Sequence, residues 1–395
     1  MNAKALKKRH TRSIGTTCDS CLEWAAEREY AGYDPYDGLN SPFIKTLATN
    51  WLTRLVGMHT INKAPINLRP LLGVPKERNP KGIALFAMAY LNRYRETGRT
   101  ADKERTAELL QWLTTNQSQQ YDLAAWGYNF DWQNARKFYL PAYHPSIVVT
   151  VFCGRAFLEY YETTSEQWAL ETAQSAALFI QNHINREQVN GFSVFTYTPH
   201  DSFVLINTNA LAAGFFYQLS AHTNSSTLSK RAESLFEFVV DAQADSGGWY
   251  YALPATESHL NHDNFHTGFV LESLYEYAMD QPITHPSRLA YQKGMQFYRS
   301  NLFDQGGAPR FAADKRYPYD AHAAAQAILT FVQRGTQNDM QMAADICQWS
   351  ITNLLDKEGY FYRRVGRILS DTTPYIRWSQ AWMCRALSSF SLSRE

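Results

Sequence analysis

The sequence predicts an all-α protein, an (α/α)6 toroid of six helical hairpins with long aromatic loops before the inner helices, and three observations lead there. A unit opening on glycine or tryptophan, running through aromatics and ending in a helix start recurs at intervals of roughly 52–65 residues, the mark of a repeat architecture. It is seen at Trp126 (WGYNFDW), Gly191 (GFSVFTY), Gly247 (GGWYYAL), Gly307 (GAPRF) and Gly359 (GYFYRR). Amphipathic helices alternate with helices that are small and apolar nearly all round, such as Ala321–Leu329. A helix apolar on every side must be buried on every side, so these become an inner ring. An open α-solenoid is the alternative, and the polar groups at each inner-helix start favour closure.

In chain order, residues 1–15 read as a disordered basic arm and residues 16–395 as a single toroid domain. Cys18–Tyr30 reads as a short helix, and YDPYDGLN at 33–40 as turn chemistry. Outer helices are expected near 41–58, 101–117, 165–184, 226–243, 285–302 and 338–355. Inner helices are expected near 82–95, 146–162, 205–221, 264–279, 320–334 and 376–391. The amphipathic type is shown by Lys230–Gln243, whose Leu235, Phe236, Phe238 and Val239 recur at the helical period.

Composition narrows the function. With 38 basic and 37 acidic residues the chain lacks the cationic excess of a nucleic-acid binder. Its 24 Tyr, 22 Phe and 10 Trp suit stacking on sugar rings as well as core filling. Five cysteines make an odd number, so a disulfide framework is not expected, and the lone Cys18-x-x-Cys21 pair reads as ordinary helix cysteines. The basic N-terminus is followed by no apolar stretch and no run approaches transmembrane length, so a cytoplasmic setting is expected. GxSxG, Walker A, GxGxxG and DxDD patterns are absent, and no cofactor is expected.

Inner-helix N-termini opening on one face would suit anionic ligands. The residues falling there or in the loops before them are the candidates. As catalytic groups the sequence offers Asp263, His266, Tyr319, Asp320, His322, Tyr375 and Arg377. As substrate-binding groups it offers Trp126, Asp131, Trp132, Gln133, Arg136, Tyr143, His144, Asn207, Trp249, Tyr317, Tyr362, Arg363, Trp378 and Gln380. Asp263 and Asp320 each have a plainer reading as helix caps. His259, His262, Asp263 and His266 carry metal-ligand types, but no HExxH or cysteine accompanies them and no metal site is assigned. Arginines beside aromatics in GYFYRRVGRILSDTTPYIRW suit a carboxylated sugar, which stacks on rings while guanidinium holds its carboxylate.

Five segments together, YDPYDGLNSP (33–42), WGYNFDWQ (126–133), DNFHTGFVLESL (263–274), YDAHAAAQAI (319–328) and PYIRWSQAWM (374–383), resemble the VpsJ-type polysaccharide-biosynthesis proteins. These carry prenyltransferase/squalene-oxidase-repeat-like descriptions, and the likeness spans about residues 30–390. The resemblance implies an α/α toroid in exopolysaccharide assembly, with an oligosaccharide or lipid-linked glycan and other assembly proteins as partners. It transfers no catalytic residues. The leading expectation is a glycan-modifying enzyme acting on an acidic sugar, a uronate epimerase or lyase, with Arg377 and Arg363 neutralising the carboxylate and Tyr319, Tyr375 or His266 moving the proton. A glycoside hydrolase using paired Asp263 and Asp320, a terpenoid or prenyl-diphosphate enzyme, and a non-catalytic glycan-binding scaffold are the alternatives.

Overall fold

The computed structural model describes residues 3–134 and 138–394, with side chains from residue 14 onward. In chain order the first helices are α1 (Ala3–Ala26), α2 (Pro42–Leu47), α3 (Trp51–Lys63), α4 (Pro80–Thr97) and α5 (Thr100–Thr115). Then come α6 (Ile147–Thr164), α7 (Gln167–His183), α8 (Ile206–Thr223), α9 (Ser226–Asp241), α10 (Asn264–Asp280) and α11 (Pro286–Asn301). The last are α12 (Ala321–Arg334), α13 (Gln337–Asn353) and α14 (Trp382–Leu392), which is entered through a π-helical turn at Ile376–Ala381. No helix among the described residues is long and apolar enough to cross a membrane.

The chain folds as two compact units. The first comprises residues 1–117, 127–144 and 318–395, the second 118–126 and 145–317.

In the first unit α14 packs on both α4 and α12, so the first and last of the apolar helices are neighbours. Helix starts follow ordinary capping chemistry. The Asn79 side chain accepts from the Gly82 N–H with Pro80 in the first turn, and Asp320 accepts from the His322 N–H. Both apolar helices end on a left-handed glycine, Gly98 at φ +70° and Gly335 at φ +67°. The amphipathic α5 and α13 begin within two residues of those glycines. The tight hairpin is therefore apolar helix first and amphipathic helix second, offset by one helix from the pairing the sequence suggests.

Two expectations change here. A helix near 41–58 is replaced by α2 and α3, because Ala48-Thr49-Asn50 breaks the run and Asn50 caps a new helix through a capping box with Thr53. The helix packed against α14 is instead α1, which begins at Ala3, within the stretch assigned to an arm. Its Ala, Lys, Leu and Arg are good helix formers. Cys18 and Cys21 lie buried in α1, and the Cys18 thiol, pushed up by burial, donates to the Cys384 carbonyl of α14 at 3.6 Å.

In the second unit α6, α8 and α10 pack in succession, with α7, α9 and α11 as their amphipathic partners. Strands β1 (Arg186–Val189) and β2 (Phe192–Phe195) form an antiparallel hairpin ahead of α8. The Asn209 side chain on α8 clamps that hairpin, accepting from the Phe195 N–H at 2.8 Å and donating to its carbonyl at 2.9 Å. The first unit repeats the device: Gln380 accepts from the Phe361 N–H at 2.8 Å and donates to its carbonyl at 2.7 Å. In these two repeats a side-chain amide thus fixes the aromatic loop to the apolar helix that follows it.

Candidate active site

The first unit gathers its charged and aromatic residues around the loop Tyr33–Asn40. Arg377, in the π-helical turn before α14, makes a two-pronged bond to Asp34, Nε to Oδ2 at 2.6 Å and Nη2 to Oδ1 at 2.8 Å. Both side chains are buried. Burial pulls the guanidinium's pKa down, yet the Asp34 charge holds it above its ordinary value. Arg69 ties the other acid of the loop, its Nε donating to Asp37 Oδ1 at 2.6 Å, while Nη1 donates to the Tyr375 hydroxyl at 2.8 Å. Burial pushes Asp37 up to about 7, against the pull of Arg69. Two buried ion pairs therefore pin the loop and aim Tyr36. Its ring stands edge-on to Trp378 at 5.6 Å and tilted on Trp132 at 6.2 Å.

Asp320 is the acid left open. Its Oδ1 accepts both the His322 N–H at 2.9 Å and the Trp378 indole N–H at 2.8 Å. Its Oδ2 has no hydrogen-bond partner among the described residues. Burial raises the carboxyl's pKa, opposed by the Arg363 charge and those two N–H donors. Arg363 directs Nη1 to Asn62 Oδ1 at 2.6 Å and Asp371 Oδ2 at 3.2 Å. Its Nε is buried without a partner among the described residues, and Nη2 bonds none of them either. Those two nitrogens form the fork edge that Arg377 spends on Asp34. The Tyr36 phenol likewise bonds no described residue, and burial raises its pKa while Arg363 and Arg377 lower it. A raised carboxyl, a phenol and a guanidinium edge beside indole faces make a set able to move a proton next to a carboxylate.

Several sequence candidates play other parts. Arg377 is not a ligand for substrate, because Asp34 already takes its fork. Tyr375 is buried and accepts from Arg69. His322 is buried between Trp382, stacked at 4.4 Å, and the edge of Trp378 at 4.7 Å. Tyr319 lies on Trp349 at 5.2 Å, and the Tyr362 hydroxyl donates outward to Asp356 at 2.6 Å. Gln380 is the clamp described above. Asp131 accepts from the Tyr139 hydroxyl and the Ala142 N–H, both at 2.8 Å, and so fixes its own loop. Gln133 donates to the Phe138 carbonyl, and Trp132 packs toward Tyr36. His144 is buried, while Tyr143 is exposed in a left-handed conformation. Behind them Gly127 approaches so closely that a Cβ would stand 1.9 Å from the His144 carbonyl oxygen. Arg136 lies outside the described residues.

In the second unit the Asp263 and His266 candidates meet. Asp263 caps α10 through Oδ1 to the His266 N–H at 3.0 Å, and its Oδ2 lies 2.7 Å from His266 Nδ1. The Asp263 carboxylate is buried, so the His266 ring is held with Nδ1 inward and Nε2 outward. Tyr251 at 4.3 Å and Phe265 at 4.0 Å flank that ring. This is an imidazole oriented by a carboxylate, and both Asp263 oxygens are engaged by His266. His262 turns elsewhere, to Tyr250 and Phe297. Trp126 is fully buried against Phe157, and Trp249 is buried with its indole donating to the Val239 carbonyl at 2.8 Å, so neither is a sugar platform. Asn207 Oδ1 is buried without a partner among the described residues, and Tyr317 is half-buried beside Arg316.

The residues that sequence reasoning missed are Asp34, Tyr36, Asp37 and Arg69. Their signal was present: two acids and two tyrosines in eight residues exceed what a turn needs.

No family model matches the chain, and no curated protein matches it. Solved structures do. An unsaturated glucuronyl hydrolase specific for heparin is 13% identical, with a TM-score of 0.64 over 97% of this chain and 97% of that one. The cellobiose 2-epimerase of Bacillus thermoamylovorans is 13% identical, with a TM-score of 0.61 over 80% of this chain and 88% of that one. A D-mannose isomerase is 12% identical, with a TM-score of 0.61 over 80% and 88%. At such identities the likeness shows the fold, and the chain has the all-α fold of the (α/α)6 toroid class. Fold alone does not set the reaction.

Proposed function

We propose that this chain is a carbohydrate-modifying enzyme acting on an acidic sugar by proton transfer, as a uronate epimerase or lyase. The observation that carries the proposal is Asp320. One of its oxygens is locked by two N–H donors, the other is open, and its protonation is raised beside Arg363 and Tyr36. A cap needs only the first oxygen. Structural likeness to two sugar-isomerising enzymes supports a carbohydrate substrate, and likeness to an unsaturated glucuronyl hydrolase supports an acidic one. The setting in polysaccharide biosynthesis belongs to the same proposal and rests on the likeness to VpsJ-type proteins.

The chemistry follows from the open groups. Arg363 presents Nε and Nη2 to the sugar carboxylate, which lowers the cost of placing negative charge on the adjacent carbon. Asp320 Oδ2 takes the C5 proton, leaving an enolate delocalised onto the carboxylate. Return of a proton to the opposite face gives the epimer, and loss of the C4 substituent with its electron pair gives the unsaturated uronate. Tyr36 is the donor to the leaving oxygen or the opposite face. Glycoside hydrolysis is the second reading, favoured by the same raised carboxyl, which is what a glycosidase acid requires. Incubation with uronate-containing oligosaccharides in D₂O tests both. Deuterium at C5 marks the epimerase or lyase, chain shortening without exchange marks the hydrolase, and neither outcome across a broad panel would end the enzymatic reading.

A further inference from the structure

α2 and α3 cover the Tyr33–Asn40 loop, and the inward face of α3 explains half of its sequence. Met58 and Ile61 are buried, and Met58 packs with Leu39 and Ala48 in a small core joined by Tyr36, Ile44 and Leu55. The outward face has no such explanation. Phe43 and Leu47 on α2, Leu52 and Val56 on α3, and Ile66 and Leu71 beyond it are between 51% and 78% exposed. The first two pairs are each four residues apart, so each pair shares a helix face. The Ser41 hydroxyl donates to the Leu72 carbonyl at 2.7 Å, which holds the Leu71 segment beside the start of α2. Both helices are capped by side chains, so the exposure belongs to ordered structure. Trp51, which opens α3, is 36% exposed. So many exposed large apolar side chains within thirty residues mark an interaction site.

Charge says what covers it. From Gly38 to Lys76 the chain carries Lys45, Arg54, Lys63, Arg69 and Lys76 and not one Asp or Glu, in a protein whose charges otherwise balance. Arg69 is spent on Asp37, Arg54 lies over the Tyr139 ring, and Lys45 reaches Asp131 at 3.4 Å while staying largely exposed. Lys63 and Lys76 are exposed, Lys76 with its ammonium 5.4 Å from the Tyr33 ring. Short helices with exposed large apolar side chains, a half-exposed tryptophan and exposed lysines without a neighbouring acid in sequence are the composition of an element that lies in a membrane interface.

We propose that residues 42–71 dock this protein on an anionic lipid surface, the apolar side chains entering the headgroup boundary and the lysines meeting lipid charge. The proposal is independent of the chemistry at Asp320. The test is co-sedimentation of the full chain with vesicles of phosphatidylcholine alone and of equal parts phosphatidylcholine and phosphatidylglycerol. Pelleting is expected with the anionic vesicles only, and it should weaken as salt is raised. The double substitutions Phe43→Ser with Leu47→Ser, and Leu52→Ser with Val56→Ser, should each weaken partitioning at least about tenfold. Thermal melting should be unchanged, because these side chains are exposed. Failure of the wild-type chain to pellet with anionic vesicles, or equal pelleting with both kinds, would overturn the proposal. So would light scattering that shows a wild-type dimer dissociated by the same substitutions, which would assign the surface to a second copy.

Discussion

Asp320 does separate work with its two oxygens, and that separation makes it testable. Replacement by Asn keeps an oxygen for the His322 and Trp378 N–H groups and alters only the open position. The stability consequence has a definite sign. Burial raises the folded-state pKa, so this carboxyl's contribution is fully present below its unfolded value and is lost as pH rises through the raised one. Asp320→Asn should therefore match wild type in Tm at low pH and equal or exceed it at about pH 8, where wild type holds a buried charge. Melting curves at both pH values check this, and a large loss of Tm at pH 8 would return Asp320 to a purely structural role. Arg363→Lys makes a parallel prediction. A lysine keeps the charge but not the fork, so kcat/KM for a uronate should fall about tenfold to a hundredfold, with a smaller effect on a neutral sugar. Equal losses on both substrates would argue that Arg363 only packs.

At the scale of elements, the loop Tyr33–Asn40 and the turn that opens α14 are joined across 343 residues of sequence by the Asp34–Arg377 pair. Breaking a buried pair on one side leaves an uncompensated charge. Asp34→Ala should cost about 3–5 kcal/mol, read as a lower urea midpoint. A change under about 1 kcal/mol would show that the pair contributes no more than a surface one. Arg377 also shows where sequence reading runs out. An arginine beside tyrosine and tryptophan at a helix start looks the same whether it awaits a substrate or an internal carboxylate. Only the fold brings Asp34 to it and leaves the fork of Arg363 open. The helices were far more legible. The apolar run of α8 and the left-handed residues at the hairpin turns, Gly98, Ser165, Asn224 and Gly335, are local signals. The first outer helix misled because residues 41–63 are apolar enough for one long helix, while Asn50 restarts the chain as a second short one.

At the scale of the whole molecule, the fold class was visible in the repeat, since each unit carries its own glycine, aromatic loop and apolar helix. The candidate groups were half visible: in the first unit Asp320 follows from its place at an inner-helix start and Arg363 from the arginines beside aromatics in GYFYRR, and in the second unit Asp263 and His266 follow from theirs. The acids of the 33–40 loop do not, because their partners lie on distant elements. Whether Asp320 moves the C5 proton is read from solvent-deuterium exchange into a uronate oligosaccharide, followed by mass spectrometry, for wild type and Asp320→Asn side by side. Exchange at C5 is expected with wild type, falling by about 10²–10⁴ in the variant, the range of a lost acid–base group, with Tm preserved. A folded Asp320→Asn protein that exchanges deuterium as fast as wild type would contradict that role.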